Sequence, residues 1–129
     1  VSFWMNVPTN QGLTYFLRNG NGGVGFFSNG TSGGLAISTP TTNSATGPIT
    51  LGTWHHVVGT YDGTTIRYYI GGTEVGTMNH PGQIGGTGFA SGGMTIGLFN
   101  SVYWNGVIDD IRFYDRVITT AEINQLLAE

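Results

Sequence analysis

Tight-turn signals divide this 129-residue chain into short runs rich in β-branched and aromatic residues. An Asp-Gly pair separates residues 55–61 from residues 66–70, and a Gly-Gly pair separates the second run from residues 73–77. Two-residue hairpin loops need a positive φ at their central positions, which glycine and, less readily, asparagine or aspartate adopt. The chain contains 23 glycines, so such turns are available along its length, and the pattern predicts antiparallel β-structure.

The same pattern predicts about nine strands in the whole chain. Their bounds are residues 2–7, 14–18, 25–28, 35–38, 55–61, 66–70, 73–77, 94–98 and 107–114. Two further segments are predicted to be loops, because residues 40–48 are polar without periodicity and residues 78–93 are rich in glycine.

One short helix is predicted at the C-terminal end. Thr119 stands at the N-cap position and Glu122 follows three residues later, which is the spacing of a capping box. Ile123, Leu126 and Leu127 then fall on one helical face. Many short strands and a single helix indicate an all-β fold, a two-sheet antiparallel jelly-roll sandwich with one short C-terminal helix.

The chain carries few charges, since seven acidic residues, four arginines and no lysine give a formal net charge of −3. Such a surface offers no basic footprint for nucleic acid and no polybasic patch for lipid. No apolar run is long enough to cross a membrane, and the absence of cysteine excludes disulfides and thiolate sites. Neither nucleic acid binding nor membrane insertion is expected. The lysine-free, Thr-, Asn-, Gly- and Ser-rich composition indicates an extracellular, cell-surface or virion-surface protein.

Two long motifs carry a resemblance to a known family. Residues 53–63 (TWHHVVGTYDG) and 66–72 (IRYYIGG) resemble the central hairpin of laminin-G-like domains. Residues 106–118 (GVIDDIRFYDRVI) and 119–123 (TTAEI) resemble the closing strand and helix of that family. The family belongs to the concanavalin A-like lectin and glucanase superfamily, and the resemblance implies a single two-sheet jelly-roll domain over residues 1–129.

The resemblance also implies a strand ahead of residues 2–7, which this sequence does not supply. A missing strand would leave unpaired N–H and C=O groups at an open edge of a sheet. We therefore expect either residues ahead of Val1 or a strand donated by a neighbouring, identical subunit.

No catalytic residues are predicted, so an enzyme is not expected. Glucanases of the superfamily use paired glutamates on one strand, whereas Glu74 lies in a hairpin and Glu122 and Glu129 in the terminal helix. Asp109 and Asp110 are neighbours on a predicted strand, so they are expected to point to opposite faces of the sheet.

Calcium is the one ion that the resemblance implies, because relatives hold it with an aspartate and backbone carbonyls at the sandwich rim. Asp109 and Asp110 are the candidate ligands. This chain has few carboxylates for an ion that takes about six to eight oxygens, so no cofactor is taken as required.

A sugar site needs an exposed aromatic side chain with polar neighbours. Trp4 and Trp54 lie in strand segments that match the family and are expected to be core residues, as large aromatics commonly are. The aromatic cluster of the loop before the last strand is the better candidate, with one residue from the long loop. The predicted ligand-binding set is Tyr103, Trp104, Asn105, Asn100 and His80. The alternative for Trp104 is that its ring packs over the edge of the sandwich.

One modification site is also predicted. The tripeptide Asn29-Gly30-Thr31 matches an N-glycosylation sequon in an apparent turn between strands, which has meaning only in a glycosylating, extracellular setting.

The residues and the resemblance lead to two hypotheses of different classes. The first is a non-catalytic carbohydrate- or ligand-binding module of an extracellular or particle-surface protein. The alternative is a structural subunit of an extracellular filament or virion, assembled with identical subunits through jelly-roll edges.

Overall fold

The computed structural model describes residues 1–19, 24–37, 44–82, 94–99 and 101–129. These residues form twelve strands and one helix, named here in chain order. The strands are β1 (Ser2–Asn6), β2 (Leu13–Asn19), β3 (Val24–Asn29), β4 (Ser32–Ile37), β5 (Ser44–Pro48), β6 (Trp54–Tyr61), β7 (Thr65–Ile70), β8 (Thr73–Asn79), β9 (Met94–Ile96), β10 (Leu98–Phe99), β11 (Val102–Tyr103) and β12 (Val107–Arg112), and the helix is α1 (Thr120–Leu127).

Two antiparallel five-stranded sheets face each other. The first sheet has the order β12-β1-β6-β7-β8 and the second has the order β5-β4-β3-β2-β9. A two-stranded hairpin, β10-β11, continues from β9. This arrangement confirms the predicted jelly-roll sandwich with one C-terminal helix.

The core lies between the sheets and is rich in aromatic rings. Phe3 and Met5 point inward from the first sheet and are fully buried. The ring of Phe3 meets those of Phe16 and Phe26 edge to face, with ring centroids 5.5 and 4.8 Å apart. Edge-to-face pairs add about 0.5–1.5 kcal/mol each beyond the area they bury.

Residues 44–48 form the edge strand β5, so the predicted polar loop 40–48 is wrong over this stretch. Burial alternates along it, but the inward residues are Ala45 and Gly47, which do not stand out as hydrophobic in the sequence. They are small because β8 approaches closely. A Cβ at Gly47 would collide with Val75, and one at Gly76 would collide with the backbone of Thr46.

The helix packs on the outer face of the first sheet. Ile118 and Ile123 are buried there against Val58 and Tyr69. The predicted capping box is confirmed, since the Thr119 hydroxyl accepts from the Glu122 N–H and the Glu122 carboxylate accepts from the Thr119 N–H. No helix in the described part of the chain is long and apolar enough to cross a membrane.

The predicted strand 94–98 is broken at one glycine. Gly97 has a φ of +75°, so β9 ends at Ile96 and the chain turns into the β10-β11 hairpin. Most of the predicted loop 78–93 lies outside the described residues, although β8 extends to Asn79 and therefore takes its first two residues.

Candidate functional site

The part of the first sheet that carries β12, β1 and the start of β6 presents two tryptophans on its outer face. Strand β1 pairs with β12 on one side and β6 on the other. One row across the three strands reads Asp109, Trp4, His56, and the next row reads Val107, Asn6, Trp54. These six residues are called the tryptophan patch below.

The alternation of a β-strand sets which residues face outward. Phe3 and Met5 flank Trp4 in sequence and are fully buried in the core, so Trp4 lies on the opposite face and is half-buried. Trp54 is 44% exposed. The expectation that both tryptophans are core residues is therefore wrong. The period-2 pattern of residues 2–7 indicates the outward position of Trp4, because other apolar side chains occupy the inward positions of that strand.

A β-bulge places two carboxylates on this side of the sheet. Ser2 pairs with Arg112 whereas Trp4 pairs with Asp109, so β12 has one residue more than β1 between these two pairs. Asp110 takes up the extra residue with a φ of +52°, and Ile108 and Ile111 on either side both pack against the core. Asp109 and Asp110 are both exposed, so the prediction that they face opposite sides of the sheet is wrong.

Arg112 is the cation nearest to the patch, and two ion pairs hold its side chain. Arg112 binds the Asp110 carboxylate at 2.7 Å and the Glu129 carboxylate at 2.6 Å. The hydrogen bonds that the Arg112 guanidinium donates to Glu129 first, and then to Asp110, raise its pKa above the ordinary value. The Asp109 carboxylate makes no ion pair among the described residues and accepts only the Asp110 N–H, at 2.8 Å.

His56 forms the floor of the patch beside Trp4. It is 3% exposed, and its ring centroid lies 5.2 Å from that of Trp4. Its Nδ1 atom has no hydrogen-bond partner among the described residues. Burial, and then the charge of Arg112, lower the pKa of His56, while the charge of Asp110 opposes the shift. These causes together favour the neutral imidazole.

Within the predicted sugar cluster, only one aromatic ring stands free in solvent. Trp104 is half-buried, with its ring 4.9 Å from that of Phe16 and its indole N–H donating to the Ser28 hydroxyl at 3.3 Å. The Asn105 backbone is held by the side chain of Gln11. Tyr103, by contrast, is 78% exposed.

The structure does not bring the whole predicted set together. His80 lies at the far end of β6, where the Tyr61 hydroxyl donates to its carbonyl at 2.8 Å. Asn105 lies near β12, whose first residue shares a row with Trp54 at the opposite end of β6. The eight residues of β6 separate the two ends by roughly 23 Å, at about 3.3 Å per residue. Asn100 lies outside the described residues.

The candidate glycosylation site is accessible. Asn29 is the exposed last residue of β3 and pairs with Ser32 across the β3-β4 hairpin. Its glycosylation stays a prediction.

The two aspartates fit a calcium ion poorly. Both oxygens of Asp110 already accept from Arg112, and the described ranges contain no group of three or more acidic, histidine or cysteine side chains placed so that they could hold a metal ion. Calcium takes about six to eight oxygen ligands. The calcium site at Asp109 and Asp110 stays a prediction.

A recess of about 260 Å³ opens at the end of the sandwich remote from Trp54. Its walls include Phe26, Leu35 and Tyr61, with Arg116 at its margin. Arg116 is committed to Glu122, with N···O distances of 3.0 and 2.5 Å, so the recess presents mainly apolar surface.

Comparison with known proteins identifies the family and agrees with the fold. A laminin-G-type family model, described as the concanavalin A-like lectin/glucanases superfamily, matches residues 1–124. The chain belongs to this family. A search of curated protein sequences gave no significant match.

Solved structures share the fold of this laminin-G-like domain at low sequence identity. The binding domain of Paraclostridial Mosquitocidal Protein 1 is 14% identical with a TM-score of 0.69, and 98% of this chain covers 35% of that one. A heptameric SAP-like pentraxin from Limulus polyphemus is 19% identical with a TM-score of 0.63, covering 98% and 68% of the two chains. The binding domain of botulinum neurotoxin DC in complex with SialylT is 14% identical with a TM-score of 0.59, covering 98% and 34%. The chain thus spans about a third of each toxin binding domain.

Proposed function

We propose that this laminin-G-like domain is a non-catalytic carbohydrate-binding module that works outside the cell and holds its ligand on the tryptophan patch. The observation that carries the proposal is the exposure of Trp54 beside Trp4 on an outward sheet face. The two residues are diagonal neighbours, since Trp4 pairs with His56 and Asn6 pairs with Trp54. Val107, which is 55% exposed, lies in the same row as Trp54, and a contiguous exposed apolar patch, unlike a single side chain, marks an interaction surface.

The chemistry of the patch suits a sugar ring. An indole presents a flat apolar face with a negative quadrupole, against which the polarised C–H groups of a pyranose can pack. Around it stand groups that exchange hydrogen bonds with hydroxyls, namely the Asn6 amide and the Asp109 carboxylate. The Asn6 amide already donates to the Gly52 carbonyl at 3.3 Å, so its oxygen is oriented before a ligand arrives.

The comparisons support the class of function. The family's name includes lectins, and one similar toxin binding domain was solved with SialylT. Structures of toxin binding domains and a pentraxin, together with the lysine-free surface, support a location outside the cell or on a particle surface.

A non-catalytic role fits the placement of the acidic residues. The superfamily's hydrolytic mechanism needs two carboxyl groups flanking one bond. Glu74 pairs with Arg67 and Glu122 with Arg116, while Glu129 pairs with Arg112 near the end of α1. Glu74 lies on β8 and the other two on the terminal segment, so no glutamate pair shares one strand.

Exposed residues of an edge strand favour the alternative, a structural subunit. Strand β9 has one described partner, β2, and its Met94 and Ile96 are 49% and 55% exposed. An edge of this kind can pair with an identical subunit. Light scattering across a range of protein concentrations measures the tendency to assemble. Ordered oligomers that Ile96→Lys disperses would favour the subunit.

A glycan array tests the binding function. Trp54→Ala is expected to lower binding at least tenfold, because it removes the stacking surface. Tyr103→Ala is the matched control for an exposed aromatic residue elsewhere, and we expect it to bind like the parent chain. If Tyr103→Ala abolishes binding and Trp54→Ala does not, the loop cluster is the site instead. If the parent chain binds no saccharide, the proposed function is wrong.

A further inference from the structure

The charges of this chain restrict which saccharides its tryptophan patch can accept. The only lysine or arginine cations in the sequence are four arginines. Arg67, Arg112 and Arg116 are each paired with carboxylates at distances of 2.7 Å or less. Arg18 is buried in the second sheet, over the ring of Tyr15 at 4.3 Å.

Arg112, the cation nearest to the patch, is outnumbered by the carboxylates around it. Arg112 serves two carboxylates, Asp110 and Glu129, and Asp109 adds a third that makes no ion pair in the described part of the chain. Asp109 lies next to Trp4 in the same row. Its negative charge is therefore beside any sugar ring that stacks on the indoles. The attraction that this surface offers comes from the aromatic rings, since three carboxylates face the single guanidinium of Arg112 beside it.

Resting on the proposed function, we propose that the patch selects uncharged saccharides and rejects acidic ones. A carboxylate or sulfate on the ligand would lie within several ångströms of Asp109, and each of the four arginines is already ion-paired or buried. Repulsion at that distance weakens binding by roughly fivefold in fully solvated surroundings, and by more where solvent is excluded. His56 is buried beneath the patch, and burial disfavours the charged imidazole that could offset the repulsion. Selection by repulsion of this kind needs no contact specific to the neutral sugar.

Matched saccharide pairs test this selectivity. The probes are N-acetyllactosamine against its 3′-sialylated form, and galactose tetramers against galacturonic acid tetramers of the same length. Titration calorimetry at low salt is expected to give binding of a neutral member that is at least fivefold tighter than that of its acidic partner. The difference should shrink in 0.5 M NaCl, because salt screens the repulsion.

Two variants with the same change in net charge separate a local effect from a global one. Asp109→Asn should reduce the difference in affinity between neutral and acidic saccharides. Asp115→Asn, on the exposed segment after β12, should leave that difference unchanged. Equal or tighter binding of the acidic members, while neutral members also bind, would overturn the selectivity and leave the proposed function standing. Equal effects of the two variants would overturn the role of Asp109. Failure of every saccharide to bind would overturn the proposed function and this selectivity with it.

Discussion

Trp4 stands opposite His56 on the neighbouring strand, with their ring centroids 5.2 Å apart on the outer face of the first sheet. This pair explains why an indole sits at the surface of a sandwich whose interior is filled by other aromatic rings. His56 is buried beneath this face, Trp4 is half-buried beside it, and Trp54 in the next row is 44% exposed.

Trp54 and Trp104 should differ in their contribution to the free energy of unfolding. Trp54→Ala is expected to lower the free energy of unfolding less than Trp104→Ala does, because 44% of the Trp54 residue is exposed to solvent. Trp104→Ala should cost about 2 kcal/mol or more, since it removes the contact with Phe16 and the hydrogen bond to Ser28. Urea unfolding of both variants measures the difference. Equal losses would mean that Trp54 also belongs to the packed interior.

Tyr68→Phe is expected to stabilise the fold. Tyr68 is fully buried, and its hydroxyl has no hydrogen-bond partner in the described part of the chain. Burial alone raises the pKa of this phenol above its ordinary value. Removing an unsatisfied buried hydroxyl should gain about 1 kcal/mol. A lower melting temperature for the variant would show that the hydroxyl has a partner, and the account of the core at this position would be wrong.

The bulge in β12 predicts a difference between two substitutions of the same residue. Asp110→Ala and Asp110→Gly both remove the ion pair with Arg112, but only glycine accepts a φ of +52° without steric cost. The glycine variant should therefore be more stable than the alanine variant by about 1 kcal/mol. Thermal unfolding of the two variants gives this difference directly, and equal stabilities would argue against the bulge.

His56 predicts a loss of stability on acidification. Its pKa is lowered in the folded chain, first by burial and then by Arg112, so the unfolded chain binds a proton more readily below about pH 6.5. The free energy of unfolding should fall as the pH drops from 7 toward 5, and His56→Gln should make this decline shallower. Denaturant unfolding at several pH values measures the slope. An unchanged slope in the variant would show that His56 is not desolvated.

The hairpins and the capping box could be predicted because their signals are local. The Gly71-Gly72 turn and the Thr119 cap each depend on residues within a few positions of one another. Strand β5 could not be predicted in this way. Its residues are small because β8, which is distant in sequence, packs closely against it.

The candidate site was harder to predict than the fold. Asp110 adopts the positive φ of the bulge. A glycine at this position would have indicated a bulge in the sequence, but an aspartate does not, so the shared face of Asp109 and Asp110 could not be predicted. Trp54 was expected in the core because it lies in a segment that matches the family and because large aromatic residues are commonly buried. Only the pairing of β1 with β6 shows that it stands beside Trp4.

The central claim is most directly tested by the three indole N–H signals in an ¹⁵N–¹H spectrum during titration with N-acetyllactosamine and with galactose tetramers. Each tryptophan gives one such signal, and single Trp→Phe variants assign them. We predict that a bound saccharide shifts the signals of Trp54 and Trp4 and leaves that of Trp104 in place. A shift confined to Trp104, or no shift of any indole at saturating ligand, would contradict the assignment of the tryptophan patch as the binding surface.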